Sequence, residues 1–176
     1  METTSSEPRI LIVEPHRGGL RMMARRLSEA GYRVVACTTA ADAVAELHRA
    51  PVDLVLAELR MEPTSGVELA RLVRDDSSLE DVPLILITGR SDAKGAVDGF
   101  EAGADDVVAK PFHFEVLQAR IAGRLAKARS VDELRRDNAA LDARVVTRAI
   151  ELGEMRAAFA ASEAERERLV AMVERN

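Results

Sequence analysis

The sequence predicts an α/β fold, a doubly wound five-stranded parallel sheet, followed by one long helix. Short apolar runs without polar alternation recur along the first part of the 176-residue chain, and a helical pattern separates each run from the next. Beyond about residue 129 the composition changes to Ala, Glu, Asp, Arg and Leu, with no Pro and a single Gly. We therefore predict a sheet domain over residues 9–129 and a helical tail over residues 130–176.

The five predicted strands are runs of aliphatic and small residues, a pattern typical of strands buried on both faces. They cover residues 10–13, 34–37, 54–57, 84–87 and 107–109. Helical stretches are predicted over residues 20–30, 40–48, 66–75 and 93–101, with a last helix after Pro111. Strands that alternate with helices form parallel sheets through right-handed crossovers, with helices on both sides of the sheet.

Local signals mark the ends of several predicted helices. Ser65 and Glu68 have the spacing of a capping box, which begins a helix. Gly31 and Gly103 follow helical stretches at positions where a left-handed cap ends a helix.

The composition excludes several function classes. The net charge of −5 and the 3% aromatic content argue against a nucleic-acid partner. The single cysteine, Cys37, excludes an intramolecular disulfide framework. No apolar run approaches the length of a membrane span, so we expect no membrane partner. Residues 1–8 are polar, lack the apolar segment of a signal peptide and are predicted to be a disordered tail, which favours a cytoplasmic location.

Four polar residues lie at or just beyond predicted strand ends: Glu14, Glu58, Thr88 and Lys110. Ligands of such sheets bind outside the carboxyl ends of the strands, so we expect these side chains to converge. Any one of these residues alone is as often a solvated loop residue. The prediction rests on the placement of all four at strand ends. His16, beside Glu14 and Glu58, could add a transition-metal ligand, although a solvent-facing histidine is the more common case.

Residues 9–129 resemble the receiver domain of bacterial two-component response regulators, which implies a flavodoxin-like fold. Five stretches carry the resemblance, and the spacing of the last of them to Thr88 is the most specific. The stretches are Ile10-Leu11-Ile12-Val13-Glu14, Asp53-Leu54-Val55-Leu56-Ala57-Glu58-Leu59-Arg60-Met61 with Gly66, Leu86-Ile87-Thr88-Gly89, Ala102-Gly103-Ala104-Asp105-Asp106, and Lys110-Pro111-Phe112.

The resemblance implies roles for five positions. Receivers accept a phosphoryl group on an aspartate at the end of the third strand, and that position is Glu58 here. Two acids after the first strand hold Mg²⁺ in the family, and here they are Glu14 and Pro15. Thr88 and Lys110 match the residues that bind phosphoryl oxygens.

The resemblance further implies that the aromatic switch position is Val107, which acts with Thr88, and that the Lys110–Pro111 bond is cis. Pro15 offers no side-chain oxygen, so Mg²⁺ binding is expected to be weak or absent, and no other cofactor is expected. The carboxylate of Glu58 extends about one methylene further than that of Asp, which displaces the nucleophile. We therefore expect no enzymatic activity and no phosphorylation by the usual aspartyl route.

Glu58 could instead contact Lys110 and Thr88 and hold the domain near an activated arrangement without phosphate. The simpler alternative is a partly exposed Glu–Lys pair of about 0–1 kcal/mol. The absence of an aromatic residue at Val107 argues against the activated arrangement. A receiver that is still slowly phosphorylated is a further alternative.

A heptad pattern runs through the tail and predicts a coiled-coil homodimer. Its apolar seam is interrupted by Arg148, Ser162 and Arg166, and a buried amide at Asn138 favours a parallel pair. The seam consists of Val131, Leu134, Asn138, Leu141, Val145, Leu152, Met155, Phe159, Leu169 and Val173. A capping box at Ser130 leaves open whether the last helix of the sheet domain breaks there or continues into the tail.

The leading interpretation is an atypical receiver, a pseudo-receiver, that acts in signal transduction by protein–protein contact. Its expected partners are a second copy of the chain and a histidine kinase, a phosphotransfer protein or another signalling protein. The family's contact surface corresponds to residues 96–120. The alternative is a receiver and linker of a larger signalling enzyme with a kinase, cyclase or phosphatase output, since the helical pattern runs to Asn176.

Overall fold

The computed structural model describes residues 7–173, which form a five-stranded sheet and five helices. Residues 1–6 of the predicted disordered tail lie outside the described residues. The strands are β1 (Arg9–Val13), β2 (Arg33–Cys37), β3 (Leu54–Glu58), β4 (Leu84–Thr88) and β5 (Asp106–Ala109). The helices are α1 (Arg17–Glu29), α2 (Ala40–Arg49), α3 (Gly66–Asp75), α4 (Ala93–Glu101) and α5 (Phe114–Val173).

All four strand pairings are parallel, in the order β2-β1-β3-β4-β5. Successive side chains of a strand point to opposite faces of the sheet. In β1, Leu11 and Val13 therefore join one buried apolar cluster, while Ile10 and Ile12 join the other. Both faces of the sheet are covered, which explains why the strands lack polar alternation, and the predicted α/β fold class is confirmed.

Several predicted boundaries differ from the structure by one to three residues, and two of the differences have a clear physical reason. α1 begins at Arg17 rather than at residue 20, because His16 already has the extended backbone of an N-cap. β5 begins at Asp106, whose carboxylate accepts a hydrogen bond from Arg120 Nη1 at 2.9 Å. This ion pair lets a charged residue occupy a buried strand position.

The predicted helix-end signals are confirmed. The Ser65 side chain accepts the Glu68 N–H, and the Glu68 carboxylate accepts the Ser65 N–H, so the capping box is complete. Gly31 and Gly103 have φ angles of +88° and +94°, a conformation in which only glycine is unstrained. The Lys110–Pro111 bond is cis, as the resemblance implied, and the Glu62–Pro63 bond is also cis.

The contacts divide the chain into two compact units, with the division between Arg129 and Ser130. α5 passes through Ser130 without interruption, so the alternative of a helix break at that residue is wrong. Within the tail, every residue from 130 to 170 is exposed in the single chain. None of the helices within residues 7–173 is long and apolar enough to cross a membrane.

Candidate functional site

Three of the four predicted strand-end residues meet in one ion-pair cluster. Glu14 follows β1, Glu58 ends β3 and Lys110 follows β5, so the parallel order brings them to the same edge of the sheet. Lys110 Nζ donates to Glu14 Oε2 at 2.9 Å and to Glu58 Oε2 at 2.5 Å. Glu14 is 2% exposed and Glu58 9% exposed, so one ammonium neutralises two buried carboxylates.

The contacts of Glu14 and Lys110 favour the charged forms of these two groups. Burial raises the pKa of Glu14. The His16 N–H donates to Glu14 Oε1 at 2.9 Å, and this bond together with the Lys110 ammonium outweighs burial. The pKa of Glu14 therefore lies below its ordinary value. Burial lowers the pKa of Lys110, but its bonds to Glu58 and Glu14 outweigh burial and raise that pKa. Glu14 and Lys110 are therefore both charged across the neutral range.

The family's Mg²⁺ does not fit these residues. The second acidic position is Pro15, which has no side-chain oxygen, and an oxygen of each remaining carboxylate already accepts a hydrogen bond from Lys110. Mg²⁺ requires near-octahedral oxygen ligands and gives up its water reluctantly. An ammonium that belongs to the chain itself bridges the two carboxylates.

His16 does not complete a transition-metal site. Its ring Nδ1 lies 3.2 Å from Glu14 Oε1, but its side chain is 90% exposed. Over residues 7–173, no group of three or more His, Cys, Asp or Glu side chains has the geometry to hold a metal ion.

Thr88, the fourth strand-end residue, has different partners from those the sequence predicted. Its hydroxyl donates to Asp92 Oδ2 at 3.3 Å, so the expected contact with Glu58 is replaced. Asp92 also receives two hydrogen bonds of 2.7 Å from the Arg60 guanidinium and one from the Gly95 N–H. These contacts lower the pKa of Asp92 to about 2, and the bond from Arg60 has the largest effect.

The Arg60–Asp92 pair connects the segment after β3 with the first turn of α4. We name the group of Arg60, Asp92 and Thr88 the clamp. Asp92 is the N-cap of α4, and its side chain accepts the Gly95 N–H. Arg60 also lies next to the ion-pair cluster, because its own N–H is 3.4 Å from Glu58 Oε1.

α4 packs on the sheet through glycines and exposes its larger apolar side chains. A Cβ at Gly99 would lie 2.9 Å from Leu86 Cδ1, so the close approach requires glycine there. Val97 and Phe100 are 55% and 52% exposed. Val107, at the aromatic switch position, is half-buried and packs near Gly99.

Sequence analysis missed the clamp and the Asp106–Arg120 pair. Asp92 precedes a helix and is a preferred N-cap residue, so its capping role was within reach of sequence analysis. Its pairing with Arg60, 32 positions away in another loop, leaves no local pattern. Asp106 is the first residue of β5 and is buried, and a buried charge requires a partner, which here is Arg120.

Comparison with known proteins gives a family and several relatives. The family described as "Response regulator receiver domain" matches residues 10–122. The "Probable cyclic di-GMP phosphodiesterase" of Vibrio cholerae is 33% identical over 150 residues, 85% of this chain and 34% of that protein. The "Phosphate regulon transcriptional regulatory protein PhoB" of Pseudomonas aeruginosa is 34% identical over 118 residues, 67% of this chain and 52% of that protein.

Solved structures agree with the family match. The signal receiver domain of a signal transduction histidine kinase from Syntrophus aciditrophicus is 30% identical, with a TM-score of 0.65, and the match covers 68% of this chain and 91% of that chain. Because the family match covers more than half of the chain, the chain belongs to the response regulator receiver domain family, which acts in signal transduction. The chain spans a third to a half of the length of the two curated relatives named above.

Proposed function

We propose that this chain is an atypical receiver that signals by protein–protein contact and does not depend on phosphorylation. The observation that carries the proposal is the bridge from Lys110 Nζ to Glu14 and Glu58. In this arrangement the ammonium supplied by the chain takes the place of the family's metal ion. The two carboxylates are buried, and the ammonium that bridges them is half-buried, so the three charges are paired without a ligand.

Chemistry at Glu58 supports the same proposal. Its Oε2 accepts a hydrogen bond from Lys110, and its Oε1 lies 3.4 Å from the Arg60 N–H. Phosphoryl transfer depends on positioning and on neutralisation of charge by metal ions and cations. Glu58 is displaced by one methylene and is engaged at both oxygens, and Pro15 supplies no second acidic ligand for a metal ion, so both positioning and neutralisation by metal are weakened.

Only one part of the pocket has the arrangement expected of an activated receiver. Glu58 engages Lys110 as a phosphoryl group would, whereas Thr88 is held by Asp92 in the clamp. We propose that the domain is fixed in this one arrangement. Its partners then recognise a constant surface rather than a switched one.

Two surfaces are proposed for these partners. The first is the exposed apolar seam of the tail, which pairs with a second copy of the chain. The second lies within residues 96–120, where Val97, Phe100 and Val116 are between 48% and 55% exposed. Exposed apolar patches of this kind mark protein contacts, and the expected partner is a histidine kinase, a phosphotransfer protein or another signalling protein.

A direct phosphorylation assay tests this proposal. The intact chain is incubated with acetyl phosphate and Mg²⁺, and the mass of the intact protein is measured. The matched control is the variant Pro15→Asp/Glu58→Asp, which restores both acids of the family pattern. We expect an added phosphoryl group in the control only. A phosphorylated wild-type chain would overturn the proposal and favour the slowly phosphorylated receiver.

A second candidate function is a receiver and linker of a larger signalling protein. The observation that favours it is the match to the Vibrio cholerae protein, because a stretch of 150 residues cannot fit within residues 1–129 and therefore includes part of the tail. The reading frame downstream of Asn176 tests this candidate. A continuous frame encoding an output domain would support it, and a stop codon at that point would refute it.

A further inference from the structure

The tail exposes an apolar seam that extends along α5. Leu134, Val145 and Phe159 are between 63% and 66% exposed, in a helix whose residues 130–170 are all exposed. Burial of apolar surface stabilises by about 25 cal/mol per Å². The charges that flank the seam identify the occupant that would bury it.

A parallel pair of tails would place like charges together. In parallel coiled coils identical positions share a layer, so Arg148 would face its own copy and Arg166 would face its own copy. On the flank, Asp137 would lie beside Asp142 of the second copy, which is also repulsive. The favourable contact on that flank is Glu151 with Arg156.

An antiparallel pair centred near Ile150 separates the seam arginines. Each one then faces leucine: Arg148 faces Leu152, and Arg166 faces Leu134. A long arginine side chain can cover such an apolar neighbour with its methylene groups while its guanidinium stays in water.

The other layers of this antiparallel pair also match in polarity. Asn138, which on its own favours a parallel pair, faces the hydroxyl of Ser162, so the two polar seam residues share one layer. The apolar layers are Leu141 with Phe159, Val145 with Met155, and Val131 with Leu169.

The flanking charges of the antiparallel pair are complementary along one side. Asp142 lies opposite Arg156, and Arg135 lies opposite Glu163, each twice by symmetry. On the other side, Glu151 lies opposite its own copy and Asp137 lies opposite Glu165, whereas Arg144 lies opposite Ala158. The attractive contacts outnumber the repulsive ones.

The flank that contains Asp142 and Arg156 favours this register over its two neighbours. A shift by one heptad in one direction places Arg135 opposite Arg156, and a shift in the other direction places Asp142 opposite Glu163. We infer that the tail pairs with a second copy of this chain in antiparallel orientation, centred near Ile150. This inference rests on the proposed function, because it specifies the orientation of the dimer proposed there.

Distance measurement between spin labels tests the orientation in the full chain. Single cysteines are introduced as Glu133→Cys and Thr147→Cys, both on the outer face of the helix. In the antiparallel pair, the two labels at position 133 lie about 50 Å apart along the axis at 1.5 Å per residue, and those at position 147 about 9 Å apart. The unmutated chain is the labelling control, since Cys37 is buried and burial raises the pKa of its thiol to about 11.

The experiment has three outcomes, which distinguish the orientation of the pair from the existence of the dimer. A long distance at position 133 with a short one at position 147 supports the antiparallel pair. Short distances at both positions overturn it but retain the dimer. No dipolar signal at either position, in a sample that light scattering shows to be monomeric, overturns the dimer itself.

A charge reversal at Asp142 should change the dimer affinity in opposite directions for the two orientations. Asp142→Arg places Arg opposite Arg156 in the antiparallel pair, and we expect dimerisation about three- to tenfold weaker. In a parallel pair the same change would remove the repulsion from Asp137 and strengthen the dimer. The variant Asp142→Arg/Arg156→Asp should restore the antiparallel affinity, and Asp132→Arg, on the outer face, is the matched control.

Discussion

The sheet and the tail place their apolar side chains in opposite environments. Ile10, Leu56 and Ile85 are fully buried in the sheet, whereas Leu134 and Leu141 in the tail are more than half exposed. Burial within one chain makes the folding of the sheet unit independent of concentration. If the tail pairs as proposed, it gains the same stabilisation through association, and its order then depends on protein concentration.

The largest expected effect contrasts one leucine from each region. Leu56→Ala should lower the free energy of unfolding of the sheet unit by about 2–5 kcal/mol, because it leaves a cavity in a packed core. Leu141→Ala should leave that unfolding unchanged and weaken dimerisation instead. Urea unfolding, followed by a signal from the sheet unit, and sedimentation of the full chain measure the two effects.

Opposite results would break the contrast between the regions. If Leu141→Ala destabilised the sheet unit as much as Leu56→Ala, the tail would share its core. If Leu141→Ala changed neither quantity, the apolar seam would have no part in association.

The Lys110 cluster should give the next largest effect. Glu14→Gln removes a buried carboxylate that accepts from Lys110 Nζ and from the His16 N–H, and we expect a loss of about 1–3 kcal/mol in the free energy of unfolding. His48→Gln, at an exposed ion pair with Asp76, is the control and should cost less.

The pH dependence of this effect follows from the two shifted pKa values. The pKa of Glu14 lies below its ordinary value of 4.5, so its contribution is present above pH 4.5 and is lost as pH falls through the folded-state value. The pKa of Lys110 lies above 10.5, so its contribution is present below pH 10.5 and is lost as pH rises through the folded-state value. The difference between wild type and Glu14→Gln should be largest between these limits. A difference that stays constant below pH 4 would contradict the assignment.

The smallest expected effect concerns the clamp and should be local to α4. Asp92→Ala removes the N-cap and the partner of Arg60, so amide hydrogen exchange in the first turn of α4 should become faster. Arg49→Ala, which removes an exposed pair with Glu46 on α2, is the matched control. Because the pKa of Asp92 is about 2, lowering the pH of the wild type below 3.8 towards 2 should reproduce the change. Equal exchange in both variants would contradict the clamp.

The fold was predictable because its signals are local. Runs such as residues 10–13 require burial on both faces, and this requirement leads to a parallel sheet with helices on each side. The convergence of Glu14, Glu58 and Lys110 followed from the parallel order. The start of α1 was missed because two glycines after Arg17 obscure the helical pattern.

Parts of the site could not be predicted because they depend on loop geometry. Thr88 pairs with Asp92 rather than with Glu58, since Arg60 holds Asp92 above the strand end. No spacing rule connects Arg60 and Asp92. Proximity between loops is fixed by the packing of the whole sheet, which the sequence pattern does not describe.

The central claim is that Lys110 fills the site and makes the receiver independent of phosphate. Beryllofluoride with Mg²⁺ imitates a phosphoryl group, and its effect on the backbone amide spectrum of the intact chain tests this claim most directly. We expect no saturable shifts at Glu58, Thr88 and Lys110 in the wild type, and clear shifts in Pro15→Asp/Glu58→Asp. Saturable shifts around Glu58 in the wild type would contradict the account.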